Sequence, residues 1–259
     1  MNTEASGDFI NGHKLIRKEA ILESLQSTSS EIAEKFDKMY SDDLSILAQE
    51  LSVSYSILHK VINKENPQLP DNDFQSALLY WKALNSIIAA MELLRRGYRN
   101  ETQELMRNLL EVFAVAYDFH KNPSRYKEFI NNPKRFKTKH SIATIKKVHP
   151  FIGMTYGMLS ESFTHVSALH VVPHEIDDGL CVGGMFDPKN QAIVKINLLS
   201  IIGTLDILNS VLELTFLKHI QTPRFWIAID TDNYKYTPNN ERSQRVMDEM
   251  KKAIDSLKE

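Results

Sequence analysis

The chain has 259 residues, a formal charge of −2, 42% hydrophobic and 25% charged residues, and one cysteine, Cys181. This composition supports a buried core and runs against wholesale disorder. One thiol cannot form an internal disulfide, and a near-neutral charge excludes a generally basic nucleic-acid binder while leaving room for a local basic face.

Residues 1–20 hold no apolar run long enough for a signal peptide, so a soluble cytoplasmic protein is expected. Apolar residues recur at helical spacing from Lys14 to Gln26, and a second helix is predicted over Ser30–Met39. Ser41, Asp42 and Asp43 then offer an N-cap and an acidic first turn, suited to the positive end of a helix dipole.

Residues 44–63 resemble the helix–turn–helix of bacterial transcription regulators. Ala48 stands at the small-residue position, and Leu47, Leu51, Val53, Leu58 and Val61 stand at the apolar ones. In that reading Tyr55, His59 and Lys60 face a DNA major groove. Ser52 replaces the usual turn glycine, and residues 31–65 are acidic on balance. The alternative is a pair of packed structural helices.

The prolines and polar residues from Asn66 to Asp73 mark a boundary. An antiparallel helical hairpin follows, from Phe74 to His120, with Leu78, Trp81, Leu84, Ile88, Met91 and Leu94 on the inward face of its first arm. Gly97 is a natural residue for a left-handed helix end. Asn100 and Gln103 read as a capping box, and Pro123 stops the second arm.

Short helices are predicted over Ser124–Ile130 and Lys139–Val148, and a longer one from Pro150 to His170. Gly183, Gly184 and residues 187–190, with alternating apolar positions, predict a β-hairpin near 180–194. Ile196–Leu217 is the most apolar long stretch, interrupted by Asp206 and Glu213. A membrane span needs about 20 nearly uninterrupted apolar residues, so this is read as a buried core helix. An irregular segment over 221–237 and a charged helix over Asn239–Leu257 close the chain.

The expected fold is therefore mainly α: a helical bundle around an antiparallel helical hairpin, with one short β-hairpin near 180–194. Three regions are drawn: 1–70, N-terminal and helical; 71–220, the helical core; and 221–259, an irregular segment and a helix.

On the second arm, Arg107 and Glu111 are four residues apart and share a helix face, as do Glu161 and His165 further on. Packed together, the four form a buried polar cluster, read either as a structural ion-pair device or as a site for acid–base chemistry. The stretch from Ala77 to Ile130, with its small-loop hairpin and Arg-x-x-x-Glu, resembles a widespread family of uncharacterised bacterial all-helical proteins. A later element formed by Tyr156, Leu159, Ser160 and His165 is similar to one in that family. The resemblance implies a helical bundle, a bacterial origin and proximity of Arg107, Glu111 and His165. It implies no reaction.

Arg135 and His140 match the Arg-x4-His spacing of the HEPN ribonucleases. There the Arg stabilises charge on a scissile phosphate and the His moves a proton. Phe136 stands where a polar residue is usual, and nearby lysines make a basic patch. His165, His170 and His174 do not have a zinc-site spacing, and no phosphate-loop, dinucleotide or nucleophile-elbow motif occurs. No cofactor and no metal are expected.

The leading expectation is a binding module with a protein or small-molecule partner, in stress or phage defence by resemblance. Nucleic acid and a second copy of the chain (a homodimer) are further candidate partners, and no membrane is expected. The rivals are a HEPN-like ribonuclease and a DNA-binding regulator.

Overall fold

The computed structural model describes residues 9–10, 13–14, 29–63, 69–160, 188–230, 233–237 and 240–255. The described chain is mainly helical, and its helices pack into one bundle. In chain order it has β1 (Phe9–Ile10), β2 (His13–Lys14), α1 (Ser29–Met39), α2 (Ser41–Ile62), α3 (Asp71–Arg95) and α4 (Arg99–Lys121). Then come α5 (Pro123–Asn131), α6 (Thr138–Lys146), α7 (Pro150–Leu159), α8 (Pro188–Thr215), a 3-10 turn (Leu217–His219), β3 (Trp226–Ala228), β4 (Tyr234–Tyr236) and α9 (Asn240–Asp255).

The α3–α4 hairpin turns where the sequence says it should. Gly97 has φ 93°, a left-handed conformation open to a residue without Cβ. The Gly97 amide donates to Leu94 O at 3.0 Å and the Tyr98 amide to Leu93 O at 2.9 Å, the paired bonds of a Schellman ending. The expected capping box is corrected. Helix α4 starts at Arg99 with Tyr98 as N-cap, so Asn100 and Gln103 lie inside it. Gln103 is buried and donates to Asn197 of α8 instead.

The arms approach closely because small residues face each other. Ser76 Oγ donates to Ala116 O at 2.7 Å, and Thr102 Oγ1 to Ala90 O at 3.3 Å. Ala77, Tyr80, Ala83, Leu84, Ile87, Ala90, Met91 and Leu94 form the buried face of α3. Leu78, Trp81 and Ile88 are exposed, contrary to the inward face expected of them. Helix α3 is apolar over much of its circumference, so periodicity could not choose the face; the alanines, which permit backbone approach, chose it.

Helix α8 is the centre of the bundle. Leu198, Leu199, Ile201, Ile202, Leu205, Leu208, Val211 and Leu212 are buried, and the helix contacts α2, α3, α4 and α9. Two helices, α3 and α8, are long and apolar enough to cross a membrane by length and composition; both contribute residues to the core. Among the described residues, one apolar cluster takes in buried side chains from Phe36 to Phe216. Tyr80, fully buried, meets Thr215 through their hydroxyls at 2.9 Å, and burial pushes its phenol pKa up.

Two further expectations are revised. Residues 41–62 form one uninterrupted helix, so the helix–turn–helix is absent. No glycine or proline breaks the segment. Ser54 and Ser56 bond their hydroxyls back to the carbonyls of Glu50 and Ser52, at 2.9 and 2.8 Å, so their polar groups are satisfied inside a continuous helix. Of the β-hairpin near 180–194, residues 180–187 lie outside the described residues, and 188–194 are the start of α8. Pro188 suits a first helical turn. An antiparallel pair is instead formed by β3 and β4, within the segment expected to be irregular, with Trp226 opposite Tyr236. The predicted helix at 14–26 falls mostly outside the described residues, although Lys14 belongs to β2.

The α2, α8 and β3 segments are joined by a buried charge network. Arg224 Nη1 donates to Glu50 Oε2 at 2.9 Å, and its Nε to Glu213 Oε1 at 3.0 Å. The backbone amides of Arg224 and Phe225 donate to Glu213 Oε2 at 2.8 and 3.1 Å. Asn209 Nδ2 donates to Glu50 Oε2 at 3.0 Å. The side chains of Glu213 and Glu50 are 2% and 7% exposed, and that of Arg224 is 34% exposed.

Removing the cation strands two buried carboxylates, which typically costs about 3–5 kcal/mol. Arg224→Met should therefore lower the unfolding free energy by about 3 kcal/mol, at the low end because Arg224 is partly solvated. Urea titration with an unchanged m-value would measure it. Gly97→Ala forces a side chain into the left-handed region and should cost about 1 kcal/mol in the same assay.

Candidate functional site

The helical hairpin fixes a histidine–carboxylate pair at its open end. Asp73, in the first turn of α3, and His120, in the last turn of α4, lie nearly the same number of residues before and after Gly97. The antiparallel turn therefore sets them side by side, with His120 Nδ1 2.8 Å from Asp73 Oδ1. Asn72 Nδ2 donates to the same oxygen at 3.0 Å and to Phe119 O at 3.1 Å, which holds the carboxylate in place. A carboxylate accepts, so the pair places the imidazole proton on Nδ1 and leaves a lone pair on Nε2 of the neutral ring.

This pair borders a cleft of about 800 Å³ between the open end of the hairpin, the α6–α7 connection, the end of α8 and the β3–β4 hairpin. Lys121, Lys147, Lys218 and His219 line it with His120, and Asp73 is the single carboxylate among its described lining residues. Tyr234, on β4, adds an exposed aromatic ring, and Trp226 a buried one. Phe216 lies 6.3 Å from the His120 ring and 6.5 Å from the His219 ring, centroid to centroid. The cleft thus combines an oriented imidazole, a second imidazole and a surplus of cations.

Of the candidate site residues read from the sequence, Arg107 and Glu111 do meet, at 3.1 Å. They share Tyr156, whose hydroxyl donates to Glu111 Oε1 at 2.9 Å and accepts from Arg107 Nη2 at 3.1 Å. Arg107 Nε donates to Ser160 Oγ at 3.2 Å, and the guanidinium stacks 5.3 Å from the Tyr156 ring. Burial, then the Glu111 hydrogen bond, raises the Tyr156 pKa. The cluster pins α7 to α4. Glu161 and His165 lie outside the described residues, as do His170 and His174. Among the described residues no group of His, Cys, Asp and Glu is placed to hold a metal ion.

Arg135 sits in the turn after α5 and His140 in the first turn of α6, both exposed. No hydrogen bond or ion pair joins them among the described residues. Between them, Phe136 packs 5.7 and 5.3 Å from Phe119 and Phe129, beneath the Arg125 guanidinium at 4.5 Å. This aromatic anchor explains why a polar residue does not follow Arg135. Asp118, buried, takes hydrogen bonds from Asn122 at 2.7 Å, Arg125 at 3.2 Å and Ser141 at 2.8 Å, which holds α5 and α6 to α4.

The DNA-facing set also separates. Tyr55 is half-buried, donates to Asn85 Oδ1 at 2.7 Å and packs edge-on against Trp81 at 5.0 Å. His59 and Lys60 are exposed, with His59 against the Asn63 side chain. Tyr55 is thus committed to α3, and the three do not form one free reading face.

The sequence reading passed over Asp73, His120 and His219. Counting outward from Gly97 would have paired the first two; nothing local signals that His219 joins them. No family model, curated protein or solved structure matches the chain.

His149, beside Val148 of the cleft wall, is fully buried, and neither ring nitrogen has a hydrogen-bond partner among the described residues. Phe151 and Tyr236 face it at 6.1 and 4.7 Å. Burial pushes its pKa down from 6.5 to about 4. The unfolded state therefore binds the extra proton first. The stability from this group is complete above pH 6.5 and is lost as pH falls through 6.5 to 4. Its loss amounts to about 3 kcal/mol. Urea unfolding between pH 7 and 4 should show that decline, and His149→Phe should remove it.

Proposed function

We propose that the chain is a binding protein whose ligand is a phosphate-bearing anion received in the cleft beside Asp73 and His120. One observation carries this reading. Lys121, Lys147 and Lys218 come from three separate segments and line one cleft with two histidines and a single described carboxylate. That carboxylate is already engaged by His120 and Asn72. Clefts lined by one sign of charge focus field lines and draw in ligands of the opposite sign.

This reading keeps the expected binding module, and a role in bacterial stress or phage defence rests on the sequence resemblance alone. A DNA-reading helix–turn–helix has no geometric support, because residues 41–62 are one helix. A nuclease centred on Arg135 and His140 has none either, because the two are exposed and unjoined.

Calorimetric titration with inorganic pyrophosphate at low ionic strength tests the reading. Saturable one-to-one binding is expected, weakened at least about tenfold, or about 1.4 kcal/mol, by Lys121→Ala with Lys218→Ala. Lys134→Ala with Lys137→Ala, on the exposed α5–α6 connection, should leave it unchanged. Equal affinity in the first double variant would overturn the proposal.

A further inference from the structure

We propose that the cleft cleaves single-stranded RNA by attack of the RNA's own 2′-hydroxyl, with His120 as general base and His219 as general acid. This rests on the reading of the cleft as an anion site and adds a reaction to it.

The base half is built. Asp73 holds the His120 proton on Nδ1 and is itself held by Asn72. Nε2 is then the nitrogen that can accept a proton, on a ring that borders the cleft. A base oriented by a carboxylate, which is in turn oriented by a third group, is the usual architecture of a proton-transfer device.

The acid half comes from a different element. His219 ends the 3-10 turn after α8, and its ring meets the same Phe216 as His120 does. Each imidazole has a lysine next to it in the chain, Lys121 after His120 and Lys218 before His219, and all four line the cleft. A phosphodiester gains negative charge as it becomes pentacoordinate, so ammonium groups beside the two proton carriers stabilise the transition state over the ground state. Tyr234 offers an exposed ring at the cleft edge, a platform on which an unpaired base can stack. That feature favours a single-stranded polynucleotide over free phosphate.

In the reaction, His120 Nε2 takes the proton of the 2′-hydroxyl as the 2′-oxygen forms a bond to phosphorus. The bond from phosphorus to the 5′-oxygen breaks, and protonated His219 gives its proton to that oxygen. The products are a 2′,3′-cyclic phosphate and a 5′-hydroxyl. The two histidines have exchanged protonation states and return to the start by proton exchange with water, so no co-reactant is required.

The test uses the full chain with a mixed-sequence single-stranded RNA and the DNA of the same sequence, followed by end-group analysis. The expected result is RNA cut to cyclic-phosphate and 5′-hydroxyl ends, DNA left intact and a bell-shaped pH–rate profile. His120→Ala and His219→Ala should each slow cutting by about 100-fold or more. Asp73 is a positioning residue: Asp73→Asn should lower kcat about tenfold with KM unchanged. Arg135→Ala with His140→Ala should cut at the wild-type rate. If His120→Ala does not fold, His219→Gln and the product ends decide the matter.

RNA that competes with pyrophosphate for the cleft yet stays whole would overturn the cleavage proposal and leave the anion-site reading standing. Absence of binding by both RNA and pyrophosphate would remove both. Cutting that survives His120→Ala, or that vanishes with Arg135 and His140, would also overturn it.

Discussion

The alignment of α3 against α4 governs the rest of the structure. Once Gly97 takes its left-handed conformation, the two arms run back along each other and every cross-arm contact is fixed by distance from the turn. Thr102 reaches Ala90 near the turn, Ser76 reaches Ala116 further out, and Asp73 meets His120 at the open end. The same second arm carries Arg107 and Glu111 to α7, Gln103 to α8, and Asp118 to α5 and α6. The apolar core supplies most of the driving force for this assembly, but it is the short polar bonds to backbone and side chain that admit one register and refuse its neighbours.

Much of this was legible where the chemistry is local. Gly97, Pro123 and Pro150 mark ends and starts of helices through backbone conformations that their neighbours in sequence cannot alter. The i,i+4 spacing of Arg107 and Glu111 is likewise a property of one helix. Periodicity failed where a pattern serves two structures equally well. The apolar positions of residues 44–63 suit a pair of short helices or one long helix; with no glycine or proline to break it, the segment forms one. Helix α3, apolar over much of its circumference, hid its inward face until the alanines were seen opposite α4.

The candidate site was legible in halves. Asp73 and His120 follow from counting along a hairpin that the sequence already announces. His219 and Lys218 come from a segment about 100 residues later, brought in by the packing of α8, and no local pattern encodes that meeting. The Arg224 network is of the same kind: Glu50 and Arg224 are 174 positions apart, joined by tertiary structure alone. Conversely, the Arg135–His140 spacing is legible and uninformative, because its interior is occupied by the packing needs of Phe136.

The position of Arg224 in the chain bears on the order in which the protein can assemble during synthesis. Glu50 and Glu213 both leave the ribosome before the arginine that lies between them in the finished structure. Until it arrives, seating α2 against α8 would enclose two like charges without their cation, which the interior resists. The hairpin can close early, since Gly97 and its cross-arm bonds all lie within residues 71–121. The docking of α2 onto α8 is disfavoured until the residues around 224 arrive, so the last part of the chain acts as a latch on an element made near the beginning.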